Sequence, residues 1–387
     1  MQIKKKSPQL LLLLITIGTA MSFAIWLNLL NNFAIERAHF TGSEIGILQS
    51  LREIPGLLAF TLIFVLLLIR EQRMSYISLI LLGIGTALAG FFPIAIGFYL
   101  TTILMSIGFH YLETLQNSLS LQWIDKKQAP EFFGQLIAAK SAASIIAFIL
   151  VWALFEWLQV DFKWIYLLGG SISILIALLA WRYFPLFPEK TYQHKTLILR
   201  KRYWLYYALQ FMGGARRQIF VVFAGFLMVE KFGFSVGEIS MLYLVNAVFN
   251  IYLAPRIGKM IGLIGERRAL IIEYMGLIAI FTGYALVENS NIAVVLYIID
   301  HLFFAMAIAQ KTYFQKIADP ADIASTAGVS FTINHIAAVV IPVMFGVLWL
   351  QSPALVFYIG AAMAVVSLLL AFNVPEKPEL GHEAIIG

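Results

Sequence analysis

Long apolar runs, broken at intervals by charged residues or by Pro and Gly, recur from one end of the chain to the other. Most are near the roughly 20 residues that a helix needs to cross a bilayer. The pattern predicts twelve spans, at about 9–31, 45–68, 74–92, 94–122, 132–157, 163–183, 203–229, 237–257, 269–287, 292–315, 323–350 and 354–373. Lys4, Lys5 and Lys6 ahead of Leu10 to Ile15 are similar to the start of a signal peptide, but eleven further spans follow, so the first is read as a retained helix. The predicted fold class is an all-α polytopic membrane protein with twelve transmembrane helices.

Composition narrows the choice. The 387 residues are 61% hydrophobic and 12% charged, with a mean hydropathy of +0.86, whereas a water-soluble domain carries about 25% charged residues. Twelve spans use roughly 240 residues, which excludes a soluble enzyme with one anchor and leaves no room for a sizeable extramembrane domain. The absence of cysteine excludes disulfides, thiolate metal sites and cysteine nucleophiles. No phosphate-cradling loop lies in a connecting segment, so ATP drive is not expected and no cofactor is implied. Trp26, Trp152, Trp157, Trp164, Trp181, Tyr203, Trp204 and Trp349 fall toward span ends, as in an interfacial aromatic belt.

The net charge of +6 would suggest nucleic acid or an acidic partner in a soluble protein. Its placement says otherwise. Of the 27 Lys and Arg residues, nineteen lie on the side of the N-terminus, among them Lys4 to Lys6, Arg70, Arg73, Lys126, Lys127, Arg200 to Arg202, Arg267 and Arg268. Arg37, Lys163 and Lys231 lie on the other side, and five fall within spans. This bias places both termini in the cytoplasm, and the predicted location is the cytoplasmic (inner) membrane of a prokaryote, with no nucleic-acid partner.

The longest connection, Pro185 to Arg202, carries Glu189, Lys190, His194, Lys195 and Arg200 to Arg202. It divides the chain into an N-terminal six-helix half (1–184), a cytoplasmic central loop (185–202), a C-terminal half (203–374) and a tail (375–387). A shift of 194 positions superposes Glu44-Ile45-Gly46-Ile47-Leu48 on Glu238-Ile239-Ser240-Met241-Leu242, and also Gly134 on Gly328 and Lys140 on Asn334. One offset serving separated places predicts two parallel six-helix repeats.

Two such halves with a basic central loop resemble the major facilitator superfamily, over essentially the whole chain. The best local motif is Gly258-Lys259-Met260-Ile261-Gly262-Leu263-Ile264-Gly265-Glu266-Arg267-Arg268, in the loop expected between spans eight and nine. It is similar to the family's signature of Gly, three residues, Asp, then Gly and paired basic residues. Gly262 stands at the Asp position, so the carboxylate that locks neighbouring helices in relatives is missing there. The first-half counterpart, Ile69-Arg70-Glu71-Gln72-Arg73, lacks the glycines, and span five has Gly134-Gln135-Leu136-Ile137-Ala138-Ala139-Lys140 in place of the Gly-Pro signature of drug/proton antiporters. The resemblance implies two pseudo-symmetric halves rocking around a mid-membrane site. Spans one, four, seven and ten would line its cavity, and two, five, eight and eleven would form the interface between halves.

Ionisable side chains near a bilayer centre cost about 2.5–3.5 kcal/mol each on insertion scales. Arg52, Glu53, Glu113, Arg216, Arg217 and Asp300 should therefore pair, line water, or both. Spans three, six and twelve have no ionisable residue in their interiors, and nine has only Glu273 near one end. This predicts that every third helix faces lipid. Ser106, His110, Glu113 and Asn117 share one face of span four, and the 194 shift places Asp300 on Ser106. Glu113 and Asp300 would then approach a common cavity. Arg216 and Arg217 diverge by about 100° on span seven, so one should face the cavity and the other a carboxylate, while Gly213-Gly214 lets the helix bend. Lys311 is expected to snorkel toward the cytoplasmic surface.

Within spans, five basic residues (Arg52, Lys140, Arg216, Arg217 and Lys311) stand against three acidic ones (Glu53, Glu113 and Asp300). The predicted function is a proton-coupled secondary transporter for a small organic anion or zwitterion, with export slightly favoured, acting as a monomer in the lipid bilayer. Substrate-binding candidates are Arg216, Arg217, His110, His301, Lys140 and Asn117, because a guanidinium grips a carboxylate or phosphate through parallel hydrogen bonds. Proton-coupling candidates are Glu113, Asp300 and His335, and gate candidates are Arg52, Glu53, Arg267 and Arg268. A divalent metal or metal-chelate carrier using His110, Glu113, Asp300, His301 and His335 is the alternative within transport. A non-transporting receptor or scaffold is the alternative of another class.

Overall fold

The computed structural model describes residues 6–124, 129–188, 199–319 and 323–386. Lys4, Lys5, Lys126, Lys127 and the central-loop residues Glu189, Lys190, His194 and Lys195 lie outside the described residues. Helices account for nearly all of the rest: α1 Pro8–Glu36, α2 Gly42–Leu57, α3 Glu71–Ala89, α4 Ala95–Trp123, α5 Ala129–Trp152, α6 Phe162–Tyr183, α7 Trp204–Gln218, α8 Val236–Ile264, α9 Glu266–Leu286, α10 Ser290–Phe303, α11 Ile323–Gln351 and α12 Pro353–Phe372. A π turn, Ala153–Trp157, extends α5, and another, Ile219–Ala224, joins α7 to a last helical piece, Gly225–Glu230. A 3-10 turn, Phe304–Ala307, joins α10 to Ile308–Ile317.

Among the described residues, eleven helices are long and apolar enough to cross a membrane. Span two is the exception. Its helix ends at Leu57, two residues after Pro55, and continues as a 3-10 turn, Ala59–Thr61, and a short helix, Leu62–Leu66. Proline removes a backbone donor and crowds the preceding turn. The Arg52 carbonyl, in that turn, accepts the Ser106 hydroxyl.

The chain divides into two compact units. Unit 1 comprises Met1–Phe40, Leu51–Gln193 and Phe234–Leu244, and unit 2 comprises Thr41–Ser50, His194–Gly233 and Val245–Gly387. Each unit is thus one half of the chain with the opening stretch of its second helix exchanged for that of the other half. In unit 1, α3 packs on α4 and α6, and α1 on α5 and α6. In unit 2, α9 packs on α10 and α12, and α7 on α11 and α12. Each of these four pairings recurs six helices later, as a duplication requires.

The exchanged stretches begin alike. Thr41 N–H donates to Glu44 Oε2 at 2.9 Å, and Ser235 N–H to Glu238 Oε2 at 2.8 Å. In return Thr41 Oγ1 accepts the Ser43 N–H at 3.3 Å, and Ser235 Oγ accepts the Glu238 N–H at 3.2 Å. These are reciprocal caps in which each side chain satisfies a donor at the helix start, which gives the repeated Glu-Ile pentad a structural reason. Just ahead of the predicted span, the Thr41 hydroxyl holds the Glu44 carboxyl below its usual range.

Within unit 2, the start of α2 packs on α11: a Cβ at Gly46 would overlap the Pro342 carbonyl oxygen, and Val343 N–H donates to Ser50 Oγ at 3.1 Å. Within unit 1, the start of α8 packs on α1, where Asn28 Nδ2 donates to Ser240 Oγ at 2.8 Å and Asn32 Nδ2 to the Phe234 carbonyl at 2.8 Å.

Three sequence expectations change here. The stretch Gly258 to Ile264 is helix, and the α8–α9 turn narrows to Gly265, whose φ of +84° suits glycine. The missing carboxylate at Gly262 has a neighbour that acts instead: buried Glu266 accepts Lys316 Nζ on both oxygens, at 2.7 and 2.9 Å. Trp26, Tyr203 and Trp349 are buried, so they do not belong to an interfacial belt. Trp349 Nε1 donates to Glu230 Oε2 at 2.7 Å, and Trp26 lies under the Arg52 guanidinium.

Candidate functional site

Unit 2 contains a cavity of about 290 Å³ walled by α7, α9, α10 and α11. One wall is a buried charge cluster. Arg216, Glu273 and Asp300 are 3%, 6% and 2% exposed. Arg216 Nη1 lies 4.0 Å from Glu273 Oε1, its Nε donates to the Met212 carbonyl at 3.2 Å, and its guanidinium sits 4.4 Å above the Tyr274 ring centre. Asp300 is close enough to feel the same guanidinium. Glu273 Oε2 and Asp300 Oδ2 have no hydrogen-bond partner among the described residues.

A second group lines the same cavity with donors. Arg217 Nη2 donates to Asn334 Oδ1 at 2.8 Å, Lys311 stands open on the wall, and Gln210 and Gln310 add amides. Arg216 and Arg217 both line this cavity and divide as expected, Arg216 meeting the Glu273 carboxylate and Arg217 reaching Asn334. Gly213 and Gly214 do not break the helix, which is continuous from Trp204 to Gln218. They admit neighbours instead: a Cβ at Gly214 would press on Asn334, and one at Gly213 would touch Gln310.

Unit 1 contains a cavity of about 240 Å³ walled by α1, α4 and α5. Glu113, Asn117 and Lys140 line it, with Thr16, Thr19 and Gln116. Gln116 Nε2 donates to the Thr16 hydroxyl. The two cavities occupy corresponding places in the repeat. Thr16, Thr19, Phe23, Phe109, Glu113, Gln116, Asn117 and Lys140 correspond in order to Gln210, Gly213, Arg217, Phe303, Ala307, Gln310, Lys311 and Asn334, all wall residues.

Other predicted residues lie elsewhere. Arg52, Glu53 and His110 are buried around a small chamber of about 60 Å³ in unit 1, and Arg52 pairs with Glu53. His301 packs against Phe220 and Tyr297, at ring distances of 5.0 and 5.5 Å. The His335 Nδ1 lies 2.9 Å from the Phe331 carbonyl. Arg267 and Arg268 are in the first turn of α9. Within unit 1, His110 and Glu113 of the metal alternative line different cavities; within unit 2, Asp300 lines the main cavity, while His301 turns to aromatic rings and His335 lies against its own helix.

Two wall residues were not foreseen as such. Lys311, expected only to snorkel, lines this cavity, and the signal that could have found it is the 194 shift, which puts it on Asn117. Glu273 shows that α9 is no lipid-facing helix along its whole length, since Leu277 and Phe281 follow it onto the cavity wall. The 194 shift puts it on Leu79, so the repeat offers no clue.

The profile of the Major Facilitator Superfamily matches residues 11–342. The chain belongs to the major facilitator superfamily. Its architecture is that of a multi-pass membrane transporter of this superfamily, and its family is one of transporters, not enzymes. A point mutant of the nucleoside transporter NupG shares the fold at a TM-score of 0.78 and 17% identity, covering 95% of this chain and 99% of that one. A bacterial homologue of the human lysosomal transporter Spinster, in an inward-facing and occupied conformation, aligns at 0.69 and 15%, covering 94% and 95%. A POT family transporter in complex with 5-aminolevulinic acid aligns at 0.73 and 11%, also covering 94% and 95%. Among curated proteins, none matches this superfamily member by sequence.

Proposed function

We propose that this protein is a proton-coupled secondary transporter of a small organic anion or zwitterion, with both termini in the cytoplasm. The observation that carries the reading is the division of charge in the unit 2 cavity. Arg216 is paired with the buried carboxylate Glu273, and buried Asp300 stands on the same wall. Arg217 and Lys311 face the same space with the amides of Asn334, Gln210 and Gln310, a set of donors suited to a carboxylate or phosphate. Phe220, Phe281 and Leu277 supply apolar wall for the remainder of such a molecule.

Two buried carboxylates beside one guanidinium make a place where a proton can be held, because an uncompensated charge in low dielectric is costly. Glu273 therefore joins Asp300 as a coupling candidate, and Glu113 in the unit 1 cavity remains a third. The substrate role shifts from Arg216 toward Arg217. Export is our proposed direction, on the sequence argument alone.

A thermal-shift screen of carboxylates, phosphates and zwitterions on purified protein tests the substrate class. The expected hit stabilises the wild type and leaves Arg217→Ala unmoved; unchanged binding by Arg217→Ala would refute the anion reading. Flux in vesicles should follow an imposed pH gradient, and indifference to that gradient would remove the proton. Loss of charge from both cavities without loss of cellular function would favour the scaffold.

A further inference from the structure

The unit 2 cavity presents a carboxylate with no direct partner. Asp300 lines it and is 2% exposed, yet among the described residues its side chain makes no hydrogen bond and no salt bridge, and its Oδ2 is buried without a partner. Arg216, the guanidinium beside it, lies 4.0 Å from Glu273 and over the Tyr274 ring. Two buried carboxylates thus share one cation, and the cluster is short of one positive charge. An unmatched charge in low dielectric is costly, and the repeat does not require it here. At the corresponding place in unit 1 stands Ser106, whose hydroxyl donates to the Arg52 carbonyl.

The surroundings of Asp300 suit an ammonium group. Phe303 lies one turn further along the same face of α10, and Phe220, from the π turn after α7, and Phe281, from α9, line the same cavity. Aromatic faces attract a cation, and a carboxylate gives its N–H groups short, charge-assisted hydrogen bonds. The cations that can take an acid group stand elsewhere. Lys311 is eleven residues beyond Asp300, about 16 Å along the helix, and Arg217 reaches across to Asn334. Their long stems shorten the gap to the length of a short aliphatic chain, and Leu277 adds apolar wall.

We propose that Asp300, with Phe220, Phe281 and Phe303, is an ammonium subsite, and that the cargo is a zwitterion whose amino and acid groups are held apart by an apolar spacer. This inference rests on the reading of the cavity as a site for an anionic group, and narrows it. A plain anion would leave Asp300 unmatched. An α-amino acid, with its charges on neighbouring carbons, would satisfy one end only.

Calorimetry on the purified full chain, with 6-aminohexanoate, hexanoate, hexylammonium and glycine as probes, tests the subsite. Wild type should bind 6-aminohexanoate about tenfold more tightly than hexanoate or glycine. Asp300→Asn keeps the shape of the side chain and removes its charge, and should bring 6-aminohexanoate down to the level of hexanoate. Equal binding of 6-aminohexanoate and hexanoate by the wild type would overturn the ammonium subsite and leave the anion reading standing. Glycine bound as tightly as 6-aminohexanoate would overturn the spacer. Binding of hexylammonium without binding of hexanoate would overturn the anion reading instead, and no binding by any probe would overturn both. The wild-type comparison needs no substitution, so a poorly folding variant does not protect the proposal.

Discussion

The two main cavities share a backbone plan and differ in chemistry. Where unit 2 has Arg216, Glu273 and Asp300, the corresponding positions of unit 1 are Ser22, Leu79 and Ser106. Where unit 1 has Arg52, Glu53 and His110, unit 2 has Asn246, Ala247 and Phe304. Each repeat has thus concentrated buried charge at positions that are neutral in the other. Buried charges come in groups for a physical reason: one alone is uncompensated in low dielectric, so a repeat gains a whole cluster or none. A duplicated scaffold supplies equivalent wall positions, and the side chains placed there make one cavity richer in donors and the other mixed.

The largest test of this contrast removes the centre of one cluster. Arg216→Ala leaves Glu273 and Asp300 buried without their cation and should destabilise the protein by about 3–5 kcal/mol, read as a fall in the unfolding midpoint. Ser22→Ala, at the corresponding position of unit 1, should change little, because Ser22 Oγ has no hydrogen-bond partner among the described residues. Adding Glu273→Gln to Arg216→Ala should recover part of the loss. Equal behaviour of the two positions would erase the distinction between the repeats.

Ligand binding separates the cavities next. Arg217→Ala removes a charged hydrogen-bond donor worth about 1.5–3 kcal/mol, so affinity for an anion should fall roughly ten- to hundredfold. Lys140→Ala is expected to cost less, since Lys140 shares its cavity with Glu113. Calorimetry on both variants decides whether the donors of unit 2 dominate.

The exchanged helix starts give smaller effects. Gly46→Leu would push a side chain into the Pro342 carbonyl, and overpacking of this kind destabilises by about 1–3 kcal/mol. Ser240→Ala, its counterpart in the repeat, loses the Asn28 hydrogen bond, about 1 kcal/mol. Reversal of that order in thermal unfolding would mean that backbone proximity at Gly46 matters less than its geometry suggests.

The smallest effect is pH-dependent. The Glu44 carboxyl has a folded value below its ordinary 4.5, chiefly through the Thr41 hydroxyl. Its stabilising contribution is present above the ordinary value and is lost as pH falls through the lowered one. Glu44→Gln should therefore unfold at a slightly lower temperature than wild type near neutral pH, with the gap closing below about pH 4. A gap that persists in acid would assign the effect to packing.

Much of the fold was legible because span-length apolar runs and loop charge report directly on a bilayer. The 194-residue offset, first visible in Glu44 to Leu48, also paired Lys140 with Asn334, and the structure puts both on cavity walls. The details of span two were harder: Pro55 can disrupt a helix, but this one stops only at Leu57. The motif read as a loop from Gly258 to Arg268 is mostly helix, since its glycines are compatible with both states and only the positive φ of Gly265 requires one.

The sequence by itself determined the membrane class, the duplication, the superfamily resemblance and the presence of more cations than carboxylates within the spans. These depend on composition and period, which every residue in a run reports together. Only the tertiary structure decided that Arg216 and Arg217 line one cavity, that Glu273 completes the Arg216 cluster, that Lys311 faces the cavity and that Glu266 holds Lys316. Such meetings depend on the rotation of each helix about its axis and on the reach of single long side chains across a helix crossing. Neither quantity leaves a periodic trace in the chain.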